Sequence, residues 1–153
     1  MADAEIIAIG SELLTPDRTD TNSLWLTSQL NALGVEVRRK MVVGDDRELL
    51  AEAVWDSLQH ASIVILSGGL GPTEDDVTRD AVAQALGRSL VFRQDLLEAL
   101  TERFQRLQRK MADNNLRHTF IVEGAEPLPH SRGPAPGQCI DCAAKMVLLL
   151  PRP

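Results

Sequence analysis

Ile63-Val64-Ile65-Leu66-Ser67-Gly68-Gly69-Leu70-Gly71-Pro72-Thr73-Glu74-Asp75-Asp76 decides the fold. Its first four residues form the most apolar strand in the sequence, short and β-branched, as burial on both faces of a sheet requires. The glycines and proline that follow break the strand sharply, and Val77, Ala81, Ala85 and Leu86 then recur at helical spacing. The strand is expected at the centre of a sheet.

Towards the N-terminus, Glu5 to Ile9 repeats the buried-strand pattern and stops at Gly10. Thr21, read as an N-cap, opens a helix whose Leu24, Leu26, Leu30 and Leu33 are expected largely on one face, with Gly34 as the stop. Val35 to Val43 carries charged residues between apolar ends and reads as a strand nearer a sheet edge. Gly44-Asp45-Asp46 turns the chain into a second helix, expected to face Leu49, Leu50, Ala53, Val54 and Leu58 inward. Towards the C-terminus, the spacing of apolar residues from Gln94 to Met111 predicts a long amphipathic surface helix. Prolines and glycines interrupt the chain beyond Ala112. Gln138 to Asp141 reads as one arm of a hairpin, and Met146 to Leu150 as a last buried strand. Strands alternating with helices across short loops imply right-handed parallel crossovers. The expected architecture is one α/β domain over residues 1–153, a three-layer α/β/α arrangement with a mostly parallel sheet. Ligands of such sheets sit outside the carboxyl ends of the strands, here the loops after Ile9, Val43, Leu66 and Leu150.

The chain has 153 residues, with 16 basic against 22 acidic side chains and a formal charge of −6, so no nucleic-acid partner is expected. No apolar run approaches the roughly 18 residues of a membrane span, and the N-terminus lacks the pattern of a signal peptide. A cytoplasmic location is expected. Cys139 and Cys142 fit a reducing compartment, and no histidine stands at ligand spacing to complete a zinc site with them. A Cys-x-x-Cys redox pair sits at a helix start, whereas this one lies in the expected hairpin.

Chemistry is expected in the segment Ser67 to Asp76. Its glycines let backbone N–H groups approach an anion closely, and a helix N-terminus adds a favourable field. The segment lacks the Gly-Lys-Ser/Thr of a Walker motif, and Glu74 stands where a dinucleotide fingerprint has its third glycine. Three consecutive carboxylates, Glu74, Asp75 and Asp76, beside an anion-shaped loop are repulsive unless a cation bridges them, and Mg²⁺ accepts one or two carboxylates plus phosphate oxygens. A plain structural reading stands beside this one: Thr73 as N-cap, with Asp76 closing a capping-box-like pair. Asp45 with Glu48 has the same ambiguity, since it can converge on the site or cap the second helix. Glu12, in the Gly10-Ser11-Glu12 loop, either closes the site or is solvated.

Gly10-Ser11-Glu12-Leu13-Leu14, Asp20-Thr21-Asn22, Val42-Val43-Gly44-Asp45-Asp46, Gly68-Gly69-Leu70-Gly71-Pro72-Thr73-Glu74-Asp75-Asp76 and Asn114-Asn115, in that order, resemble the N-terminal domain of the CinA family (competence/damage-inducible protein A). The resemblance implies a molybdopterin-binding-like fold of the MogA/MoaB superfamily, whose members bind molybdopterin or adenylylate it. It implies a functional pair at Asp45 and Asp76, metal ligation by Asp45, Asp75 and Asp76, and ligand contacts from Gly10, Ser11, Glu12, Ser67, Gly68, Gly69, Leu70, Gly71 and Thr73. The activity implied is metal-dependent hydrolysis of a nucleotide pyrophosphate such as ADP-ribose, with Mg²⁺ or another divalent cation. The alternatives are a molybdopterin-binding or adenylyl-transferring domain, and an inactive interaction domain. A homodimer or trimer is implied as the assembly. Full-length members usually add a C-terminal deamidase domain. Where the family's last strand runs into Leu-Pro-Gly-Pro-Pro, this sequence has Leu150-Pro151-Arg152-Pro153, with arginine in place of the turn glycine.

Overall fold

In a computed structural model that describes residues 2–152, β3 (Ile63–Ser67) lies between β1 (Asp3–Ile9) and β8 (Lys145–Leu150). The main sheet has six strands in the order β2-β1-β3-β8-β7-β6, where β2 is Glu36–Val43, β6 Glu126–Leu128 and β7 Gly137–Cys142. The first four are parallel, and β7 and β6 close the sheet antiparallel. Charged β2 is an edge strand, as its composition predicts.

Successive side chains of a strand point to opposite faces, and the core divides accordingly. Ile7 and Ile9 of β1, Val64 and Leu66 of β3, and Val147 and Leu149 of β8 pack with α2 (Arg47–His60) and α3 (Thr78–Leu86). Ile6 and Ile65, with Leu148 and Leu150, meet Leu26 of α1 (Asn22–Ala32) on the other face. Helices therefore cover both faces, and the three layers are those expected. A separate two-stranded ribbon, β4 (Leu90–Phe92) with β5 (Phe120–Val122), was not foreseen. It brings Phe92 and Phe120 edge to face, with ring centroids 5.8 Å apart.

Several local expectations need correction. Leu24 and Leu33 are exposed while Leu26 is buried. Two residues turn a helix through about 200°, so Leu24 and Leu26 cannot share a face, and Leu33 lies past the last turn. Leu49 is likewise exposed, and α2 buries Leu50, Ala51, Val54 and Leu58 instead. The amphipathic helix α4 spans Gln94–Arg106 and stops short of Met111. Gln108 adopts a left-handed conformation, φ 53°, and the amides of Gln108 and Arg109 return to the carbonyls of Gln105 and Phe104. That is the helix ending usually made by glycine, so no stop signal is written at that point of the chain. Gly34 and Gly87 make the same ending where glycine is present. Cys139 and Cys142 are free thiols on β7, paired with β8 in the expected hairpin. Burial raises both thiol pKa values, which disfavours thiolate chemistry.

Candidate functional site

Because β2, β1, β3 and β8 run parallel, their carboxyl ends share one rim: Ile9 pairs with Val43, Ala8 with Ser67 and Ser67 with Leu150. The loops beyond these ends line a cleft of about 500 Å³. Gly10 and Glu12 follow β1, Asp45 follows β2, Gly68 to Gly71 with Asp75 and Asp76 follow β3, and Arg152 follows β8. Asn115, His118, His130 and Arg132 complete the wall.

The glycine turn has a built geometry. Gly68 and Gly69 have φ of +100° and +70°, and a Cβ on Gly69 would collide with Thr78 Oγ1. Thr78 Oγ1 donates to the Gly68 carbonyl at 2.8 Å, tying the turn to the first residue of α3. The Gly68 amide already donates to the Leu150 carbonyl, so it is not a ligand donor. Among the described residues, the amides of Gly69 and Leu70 have no partner. The cradle expected from four residues thus rests on these two amides.

The structure separates capping from site geometry at each acidic turn. Asp46, not Asp45, caps α2, accepting the Leu49 amide at 3.0 Å. Asp45 instead forms a reciprocal pair with Ser11: its Oδ2 accepts the Ser11 amide at 3.2 Å, and its own amide donates to Ser11 Oγ at 2.9 Å. Thr73 does not cap α3, which begins at Thr78. Its amide and hydroxyl donate to Asp76 Oδ2 at 2.9 and 2.7 Å. Burial works against ionisation of Asp76, but the bonds from Thr73 and the Gly71 amide outweigh it and hold the carboxyl below its ordinary range. Glu12 is paired with Arg152, whose guanidinium also donates to the Ile9 carbonyl. That pairing lowers the Glu12 pKa.

Not every residue named from the sequence reaches the cleft. Ser11 and Thr73 stand behind it, bracing Asp45 and Asp76. Buried Ser67 turns away and accepts a hydrogen bond from Asn22 Nδ2 at 3.1 Å. Asp75, the third carboxylate expected to ligate a metal, does line the cleft, on its exposed side. The loop's buttress was not foreseen. Arg79, only 4% exposed, donates to the carbonyls of Leu70 and Gly71 and, from Nη2, to His118 Nδ1 at 3.2 Å. Arg117 donates to the Thr73 carbonyl at 2.6 Å. Burial pushes the Arg79 guanidinium down to about 10 and, with the Arg79 charge beside it, His118 down to about 4. No spacing links position 79 to 118; only the fold brings them together.

Among the described residues, no group of three or more His, Cys, Asp or Glu side chains converges to hold a metal alone. Asp45, Asp75 and Asp76 all line the cleft, and one or two such carboxylates are what Mg²⁺ takes when phosphate and water oxygens fill the rest of its shell. The donor set suits a cation that arrives with a phosphorylated ligand.

The model of the family described as "Probable molybdopterin binding domain" matches residues 5–151. A crystal structure of the protein CinA from Thermoplasma acidophilum is 30% identical and superposes with a TM-score of 0.89 over 98% of this chain and 88% of that one. The chain belongs to the CinA family. Its matched segment is the molybdopterin-binding-type domain of that family. A CinA-like protein of Solibacter usitatus (strain Ellin6076) is 57% identical over 99% of this chain, and one of Koribacter versatilis (strain Ellin345) 50% over 98%. The chain spans 36% and 37% of those relatives, little more than a third of each. The molybdopterin biosynthesis enzyme MoaB of Thermus thermophilus, 19% identical with a TM-score of 0.62 over 99% of this chain and 81% of that one, shares the fold. Among the described residues, no helix of this CinA-family chain is long and apolar enough to cross a membrane.

Proposed function

We propose that the cleft holds the diphosphate of a nucleotide and hydrolyses it, with ADP-ribose the substrate that the CinA resemblance suggests. The observation that carries this reading is the meeting of two unpartnered amides, Gly69 and Leu70, with two carboxylates, Asp45 and Asp76, at one rim of the sheet. Amides alone suit any anion, and carboxylates alone repel one. Together they suit a diphosphate that brings a cation with it. A divalent ion, Mg²⁺ or a relative, held by Asp45 and Asp76 would supply a water acidified towards a pKa of about 7.

The chain's own groups do the rest. The two amides orient the diphosphate, and the Arg79 and Arg117 side chains keep the loop that carries them in register. Asp76, with its carboxyl pKa lowered, stays negative at neutral pH. Arg152 adds positive charge beside Gly10 and Gly68, offset by Glu12. Water attacks one phosphorus, the P–O–P bridge breaks, and AMP and ribose 5-phosphate leave. The test is release of AMP from ADP-ribose, with and without Mg²⁺, by the native chain and by Asp76→Asn. Metal-stimulated release that disappears in the variant is expected; equal release by both refutes the assignment.

The family's description favours a second reading, in which the same cleft binds a pterin, to which the MogA/MoaB resemblance adds adenylyl transfer. An organic phosphate then attacks in place of water. Tight molybdopterin binding without AMP release in the absence of an acceptor supports that reading over hydrolysis.

A further inference from the structure

His118 is the buried titratable group that the proposed hydrolysis leaves unused. The residue is 2% exposed, yet it forms part of the wall of the cleft that Gly69 and Leu70 also line. Its Nδ1 lies 3.2 Å from Arg79 Nη2. A guanidinium can only donate, so Nδ1 must accept, and a neutral imidazole that accepts at Nδ1 carries its proton on Nε2. The Leu70 carbonyl accepts from the same Arg79 Nη2, and its second lone pair is the partner that the opposite tautomer, with its proton on Nδ1, would use. The imidazole is held neutral by its burial and by the Arg79 charge. Nε2 is buried and, among the described residues, has no hydrogen-bond partner. A buried N–H left unpaired is costly, and of the two cavities that His118 lines, the glycine cleft is the one that also carries free amides and carboxylates.

We propose that His118 Nε2–H is a ligand-binding donor, aimed at a non-bridging phosphate oxygen of the molecule held in the glycine cleft, and that Arg79 is the positioning residue that fixes its tautomer. The inference rests on the reading that the cleft takes a phosphorylated ligand. A neutral donor suits this place better than a cation would. Arg79, Arg117 and Arg152 already surround the turn, and a protonated imidazole would be repelled by Arg79 at hydrogen-bond distance. The neighbouring His130 and Arg132 line the same wall and bound the space the phosphate would occupy.

The test uses the full chain with ¹⁵N-labelled histidine and three probes added with Mg²⁺: inorganic pyrophosphate, ADP-ribose and adenosine. His118→Phe assigns the resonance. The expected result is an Nε2–H tautomer whose Nε2 signal moves with pyrophosphate and ADP-ribose but not with adenosine. Removing a hydrogen bond to a charged group should weaken pyrophosphate binding by His118→Phe about tenfold or more. His118→Gln, which returns an amide N–H near the Nε2 position, should recover most of the loss. An Nδ1–H tautomer overturns the proposal. Movement of the Gly69 and Leu70 amides with a stationary Nε2 signal overturns it too, while leaving the cleft as the ligand site. If neither the amides nor Nε2 respond, the phosphate-binding reading fails and this inference with it.

Discussion

Lowering the pH from 7 to 4.5 should cost this domain stability through one side chain, His118. In the native state burial and the adjacent Arg79, only partly opposed by the Asp76 charge, hold the imidazole pKa at about 4, against an ordinary value of 6.5. The unfolded chain therefore takes up a proton near pH 6.5 that the native chain refuses until about pH 4. The stability contributed by this depressed pKa is whole above pH 6.5 and is lost as the pH falls towards 4. Linkage at about 1.4 kcal/mol per pH unit makes the loss between pH 7 and 4.5 roughly 2.5 kcal/mol. That is a large share of the roughly 5–15 kcal/mol typical of a native domain. Other groups contribute to the same pH range, Asp76 among them, so the measurement is a comparison: urea unfolding at both pH values for the native chain and for His118→Gln. Far-UV circular dichroism is the better probe, because Trp25 and Trp55 are already more than half exposed. The native chain should lose about 2 kcal/mol more than the variant. Equal losses, within about 0.5 kcal/mol, would mean that the imidazole titrates normally at its buried site and that Arg79 does not disfavour its charged form.

Two further perturbations separate local geometry from site chemistry. Gly69→Ala should cost upwards of about 2 kcal/mol in thermal or urea unfolding, since it adds backbone strain at φ +70° to a collision with Thr78; Gly87→Ala, at φ +64° with nothing within 4 Å, should cost only about 1 kcal/mol. Asp46→Ala should lower stability by about 1 kcal/mol through loss of the α2 cap and leave AMP release intact, whereas Asp45→Asn should spare stability and reduce metal-stimulated release.

The layers of the fold were legible because they rest on local pattern. Ile63 to Leu66 is apolar at every position, as a strand covered on both faces must be, so no alternation of apolar and polar residues was needed to place it. The division of Val64 and Leu66 from Ile65 between two helical layers then follows from strand geometry alone. Helix endings were legible only where glycine marks them. Gly34 announces its stop, and Gly87 ends α3 in the same way; Gln108 takes the same left-handed conformation without the usual residue, and the expected helix overran by five positions, from Arg106 to Met111. The β4–β5 ribbon joins distant segments through three pairs, too few for either strand to carry a pattern of its own.

The acidic and glycine lining of the cleft was legible from motifs in the chain, whereas the Arg79–His118 buttress was not, because no motif links the two positions. Asp45, Asp76 and the Gly68–Gly71 turn line the cleft from positions just beyond the strand ends that carry them. Sequence therefore reports their neighbourhood directly. Arg79 and His118 act on each other across 39 residues, and each alone reads as an ordinary surface or core residue. Their pairing exists only once α3 and the helical turn at Asp113–Thr119 have packed beside the glycine loop. The same holds for Arg152, whose partners Glu12 and the Ile9 carbonyl belong to the opposite end of the chain. Asp76 is set by its own turn through Thr73, whereas Asp45, Glu12 and the basic groups are held by partners far away in the chain. Perturbing the packing of α3 should therefore disturb the Arg79–His118 pair before it disturbs the Thr73–Asp76 turn.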